Sequence, residues 1–141
     1  MQKLEIVTGH LSVPQLRQCV PEVGRFFEAA GFSKVSVVYG WGCNLPPDRQ
    51  WEATEIAPGE LEQFADRSEQ AGIVQLGKSD LIIQDPDKTA ILKLCHESDM
   101  HFVSADPAVL DQVIAWWRGK GFSLSQSLYS MVGPRDWKTV D

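Results

Sequence analysis

The stretch Thr89-Ala90-Ile91-Leu92-Lys93-Leu94-Cys95-His96-Glu97-Ser98-Asp99-Met100-His101-Phe102-Val103-Ser104 decides how the chain folds. It is too long for one strand, because strands seldom exceed about 10 residues. A polar, acidic break falls at Glu97-Ser98-Asp99, so the segment reads as a β-hairpin. Side chains on a strand alternate between two faces. Ala90, Leu92, Leu94, Met100 and Phe102 are all apolar and all even-numbered. A three-residue turn at 97–99 pairs residue 95 with 101 and residue 94 with 102, and gathers those five on one face, the core. The same register sets Cys95 beside His101 on the opposite face, with Cβ atoms at the roughly 4.5–5.5 Å of opposed strand residues. His96 falls at the rim of the core face.

Working outward, alternating and β-branched runs predict strands at Lys3–Thr8, Val35–Tyr39, Trp51–Ile56, Leu81–Ile83 and Phe122–Met131. Asp85-Pro86-Asp87-Lys88 is the turn leading back into the hairpin. Three helical stripes intervene. Ser12 and Pro14 open the first, whose face is Val23, Phe26, Phe27 and Ala30; Pro21 should break or kink it, and Gly31 closes it. Leu61, Phe64 and Ala65 form the second, ended by Gly72. Asp106-Pro107 caps the third, with Leu110, Val113, Ile114 and Trp117 on one face. The expected fold is therefore α+β: a mostly antiparallel sheet of five to seven short strands, with about three helices packed largely on one face. A single domain over residues 1–132 is expected, with a loose tail at 133–141.

One pattern recurs after 90 residues. Val23-x-x-Phe26-Phe27, Gly31-Phe32-Ser33 and Tyr39 return as Val113-x-x-Trp116-Trp117, Gly121-Phe122-Ser123 and Tyr129. It has two readings of equal weight: a generic helix–glycine–strand connection, or a duplicated βαβ-type unit of ferredoxin-like form with a β-α-β-β insertion between the copies.

Composition narrows the function. The chain has 141 residues, a net charge of −6 and 43% hydrophobic residues, the profile of a folded soluble domain. An acidic domain without a basic stripe is a poor partner for nucleic acid or an anionic membrane, and suits a basic protein partner. Three cysteines without a C-x-x-C pattern form no disulfide framework, which points to a reducing cytoplasm. No apolar run approaches the roughly 18 residues of a membrane span. Dinucleotide, nucleophile-elbow and H-E-x-x-H motifs are absent; Gly72-Ile73-Val74-Gln75-Leu76-Gly77-Lys78-Ser79 has the spacing of a phosphate loop, but no helix pattern follows it, and Gly77 to Asp80 reads as a turn into the next strand.

Two candidate sites remain. Cys95 and His101, with Asp99 and Glu97, form a candidate zinc group, although zinc needs three or four ligands at recognisable spacing. A cysteine–histidine nucleophile pair would need an oriented base and an oxyanion site, and neither is visible. The second candidate is the loop Tyr39–Trp51, where Trp41, Cys43, Asn44, Arg49 and Trp51 gather residue types common at binding hot spots; its tryptophans would serve equally well as anchors to the core. The leading expectation is a non-enzymatic, cytosolic protein-interaction domain without a cofactor, able to form a homodimer. Toxin-neutralising bacterial immunity proteins are an analogy of size and charge alone. The alternative is a metal- or small-ligand-binding domain built on Cys95 and His101.

Overall fold

The strands β1 (Leu4–Thr8), β2 (Val35–Tyr39), β3 (Ala53–Ile56), β4 (Leu81–Gln84), β5 (Ala90–Leu94), β6 (Met100–Ser104), β7 (Leu124–Leu128) and β8 (Lys138–Thr139) make one antiparallel sheet. Their order is β3-β2-β4-β5-β6-β1-β7-β8. The helices are α1 (Val13–Ala29), α2 (Leu61–Gln70), which follows a short 3-10 turn at Pro58–Glu60, and α3 (Pro107–Gly119). This computed structural model describes residues 2–130 and 134–141.

The β5–β6 hairpin obeys the expected parity with a different register. Lys93 pairs with His101 and Leu94 with Met100. The turn therefore occupies 96–98 rather than 97–99, and Cys95 faces Asp99, whose carbonyl accepts the Cys95 N–H at 2.8 Å. Ser98 supplies the left-handed residue of this turn, with φ of 63°. A shift of two residues preserves the faces, because the strand period is two. Ala90, Leu92, Leu94, Met100 and Phe102 all enter the core.

The helices supply the other half of that core. Leu16, Cys19, Val20, Val23 and Phe27 of α1, Leu61 and Ala65 of α2, and Leu110, Val113 and Trp117 of α3 join the strands' inward residues in one cluster. Ser12 caps α1 reciprocally: its hydroxyl accepts the Gln15 N–H at 3.2 Å, and the Gln15 side chain accepts the Ser12 N–H at 2.8 Å. Contrary to expectation, α1 runs through Pro21 without ending. Proline removes one hydrogen bond, but buried residues on both sides of it bind the helix to the sheet. Glu22 ties α1 to α3, accepting from the Trp116 indole and from Lys120, each at 2.7 Å.

Two expectations require correction. The sheet has eight strands, not five to seven; the extra one is β8, in the segment expected to be a loose tail. That segment folds back: β8 pairs with β7, and Asp136 donates its backbone N–H to Ser127. The tail's junction at 132/133 lies outside the described residues. A ferredoxin-like duplication is not confirmed: β4 and β5, which belong to the segment between the two copies, lie between β2 and β6 in the sheet. The glycines of the 90-residue pattern have a local cause. Gly31 and Gly121 close their helices with positive φ, and Phe32 and Phe122 donate back to the carbonyls of Phe27 and Trp117. Gly72 closes α2 in the same way, with Ile73 bonded to Ser68, outside the repeat.

The one-sided core predicts unequal costs for adjacent residues. Leu92→Ala should cost about 2–5 kcal/mol in urea unfolding. Ile91→Ala, on the half-buried outer face, should cost distinctly less; equal losses would contradict the assignment of faces.

Candidate binding site

The face of the sheet away from the helices carries a chain of charges. Glu5, in the middle of β1, is 6% exposed. Its carboxylate accepts from His101 Nδ1 at 2.9 Å and from Arg135 Nε at 2.7 Å. On the far side of the ring, His101 Nε2 lies 3.0 Å from Asp99 Oδ1. That oxygen is buried and receives no hydrogen bond among the described residues, so the contact is an ion pair without hydrogen-bond alignment. Burial disfavours the imidazolium, yet the contacts with Asp99, Cys95 and Glu5 outweigh it and push the His101 pKa up to about 11. Burial likewise opposes ionisation of Glu5 and Asp99; contacts with His101, and with Arg135 at Glu5, hold both below the usual carboxylate range.

The turn beside this chain is held from two sides. Asp80, at the start of β4, accepts from both the backbone N–H of His96 at 2.7 Å and its ring Nδ1 at 2.8 Å. Ser98 donates to the Leu11 carbonyl at 2.6 Å and accepts the Leu11 N–H through its own carbonyl at 2.8 Å. His96 therefore belongs to the turn and its Asp80 partner rather than to the rim of the core.

Cys95, Asp99 and His101 each place a ligand atom within 4.8 Å of the others, as do Asp80, Cys95 and His96. Glu97 belongs to neither group and is 72% exposed. A metal requires neutral imidazole and thiolate ligands. At His101 it would have to displace a strongly held proton and break the ion pairs with Glu5 and Asp99. For the same reason His101 is a poor general base near neutrality, since both ring nitrogens face carboxylates and the ring is already protonated.

The loop candidates divide. Cys43 is buried. Asn44 is exposed and donates its backbone N–H to Ile73. Arg49 pairs with Glu52 at 3.2 Å, both well exposed. Trp41 and Trp51 remain, 64% and 58% exposed. The Trp41 ring lies 6.0 Å from that of His96. Trp51 has φ of 68°, a costly backbone state for a bulky residue. Its N–H is bonded to the Tyr39 carbonyl at 2.9 Å. A methyl group on Gly40 would lie 3.2 Å from the Trp51 ring and 3.3 Å from Ile82, so the bare glycine lets the indole settle over β4.

Trp51 closes one side of a cleft of about 670 Å³ whose lining includes Val38, Ile82, Ile91, Lys88 and Tyr129. An adjoining hollow of about 200 Å³ shares Trp51, Ile82, Ile91 and Tyr129 and reaches His101 and Arg135. Five strands separate β3 from β7. Residues from both ends line one cleft, so the sheet curls around this face. Trp137, with its ring 6.4 Å from His101, stands at the charged end. Sequence reasoning did not find Glu5, Asp80, Tyr129, Arg135 or Trp137. A carboxylate in the middle of an apolar strand was the available signal for Glu5; Arg135 and Trp137 belonged to a segment without periodicity.

The charge chain should govern pH stability. A raised imidazole pKa contributes in full below the ordinary 6.5 and is lost as pH rises through about 11. Lowered carboxylate pKa values contribute above the ordinary 4.5 of Glu5 and 3.8 of Asp99, and are lost on acidification. The His101 ring should therefore stay protonated by NMR from pH 6 to 9, and a midpoint near 6.5 would contradict the geometry. His101→Gln, which leaves the buried Glu5 and the half-buried Asp99 short of a partner, should cost about 3–5 kcal/mol. Comparison with protein-family models, curated proteins and solved structures finds no match to this chain.

Proposed function

We propose that the domain is a non-enzymatic interaction module that binds another protein on the uncovered face of its sheet. The observation that carries the reading is the placement of two exposed tryptophans, Trp51 and Trp137, on that face, with a third, Trp41, beside the hairpin turn at its end. Tryptophan dominates binding hot spots because a large, stiff side chain buries much area at little entropic cost. Leaving three of them in water, one on a strained backbone, disfavours the isolated domain and is offset when a partner covers them. The imidazolium character of His101 supports a binding role over a catalytic one.

The acidic surface outside the cleft favours a basic partner. A second copy of the chain is the other protein occupant the face allows, and it would raise the mass in sedimentation. The three cysteines are free and buried, which suits the reducing cytoplasm proposed as the compartment. The zinc reading draws on one observation, the buried Asp99 oxygen without a hydrogen bond beside Cys95 and His101.

Affinity capture with the purified domain should retain a partner that Trp51→Ala loses and that Val13→Ser, on the helical side, still holds. Equal capture by all three proteins would remove this face from the reading. Zinc measured on untagged protein should be well below one equivalent; stoichiometric zinc lost with Cys95→Ala would overturn the interaction reading in favour of a metal centre.

A further inference from the structure

The cleft opposes the charge of the protein around it. The chain carries a net charge of −6. Lys3 and Lys88 line the larger part of the cleft, which has no carboxylate in its wall. Lys93 and Arg135 line the adjoining part, where the two carboxylates, Glu5 and Asp80, are already engaged by His101, Arg135 and His96. The Lys3 ammonium lies 3.4 Å from the Lys88 carbonyl, which brings the two basic residues to one end. Lys88 and Lys93 make no ion pair among the described residues. Between these ends lie Ile82 and Ile91, with Trp51 and Tyr129 in the wall.

We infer that this cleft binds a small organic anion, a carboxylate carried on a flat apolar body. The body lies against Trp51 and Tyr129 over Ile82 and Ile91, and the carboxylate sits at Lys3 and Lys88. The inference rests on reading this face as the binding face and adds the chemistry of a ligand seated in it. Size favours a free small molecule: about 670 Å³ lies within the roughly 300–1,000 Å³ of small-ligand pockets. Charge selects the anion, because Lys3 and Lys88 line the same wall and no carboxylate stands in it to balance them. The apolar floor and the indole select a flat body.

The probes are 2-naphthoate and 2-naphthylmethylamine, which share a ring system and differ in charge. Their binding is followed by chemical shifts of the Trp51 indole and by titration calorimetry. Naphthoate should bind about ten-fold more tightly than the amine. Lys3→Glu combined with Lys88→Glu should abolish or reverse that preference. Trp51→Ala should weaken both probes; all these positions are surface-accessible, and circular dichroism checks that each variant folds. Equal affinity for the two probes, indifference to the lysine changes, or no binding of either would overturn the inference. Tighter binding of a short acidic aromatic peptide would overturn the assignment to a free small molecule. If naphthoate fails while partner capture still depends on Trp51, the ligand chemistry falls and the protein-binding reading stands. If naphthoate binds and capture shows no dependence on Trp51, the reverse holds.

Discussion

The buried carboxylate of Glu5 is the constraint on which the outer half of the structure depends. An unpaired charge at 6% exposure would be severely destabilising. Glu5 is paired from two directions, by His101 on the neighbouring strand β6 and by Arg135 from beyond β7. One contact fixes the ring that also meets Asp99; the other brings the C-terminal segment over the sheet, where the Arg135 guanidinium also lies 5.0 Å from the Tyr129 ring. Removing Glu5 would release both at once. The hairpin turn and the tail, far apart in the chain, are joined through one side chain.

That arrangement shapes the face of the sheet opposite the helices. The helices cover one side of the sheet with aliphatic and aromatic groups, and among the described residues no helix covers the other. On the open side the apolar residues Val38, Ile82, Ile91 and Val103 alternate with the core residues but remain in reach of solvent or lie under side chains. A sheet face of this kind is normally hidden or used. Trp51 covers part of it, at the cost of a left-handed backbone, and Gly40 leaves room for its ring because it has no side chain. The result is a concave surface with an aromatic wall, an apolar floor and basic ends.

Much of the fold was legible because period-two and period-3.6 patterns depend only on which residues must leave water. The even-numbered apolar set of the hairpin identified the core face, and a register error of two residues left that conclusion intact. Helix ends were legible where Ser12, Asp106 and the closing glycines supply local hydrogen bonds. Pro21 misled because its penalty is local, whereas Val20, Val23 and Phe27 anchor the helix through tertiary contacts. The C-terminal segment carries no periodicity, and its order comes from long-range contacts: the Glu5–Arg135 ion pair, the Asp136–Ser127 hydrogen bond and the two-residue ladder of β8 with β7. The candidate site was half legible. Trp41 and Trp51 declared themselves by type and loop context, and Cys95, Asp99 and His101 by proximity in the chain. Glu5, Asp80 and Arg135 could not be joined to them without the strand order, which places β1 and β4 on either side of the hairpin.

The central claim is that the face opposite the helices is open and presents its tryptophans to whatever binds there. Labelling the protein with 5-fluorotryptophan gives one fluorine resonance for each of its 5 tryptophans, and a soluble nitroxide broadens those that solvent reaches. Trp41 and Trp51 should broaden first and most strongly, Trp137 next, while Trp117 stays sharp. A Trp51 resonance as protected as that of Trp117 would contradict the account, because the face would then be closed.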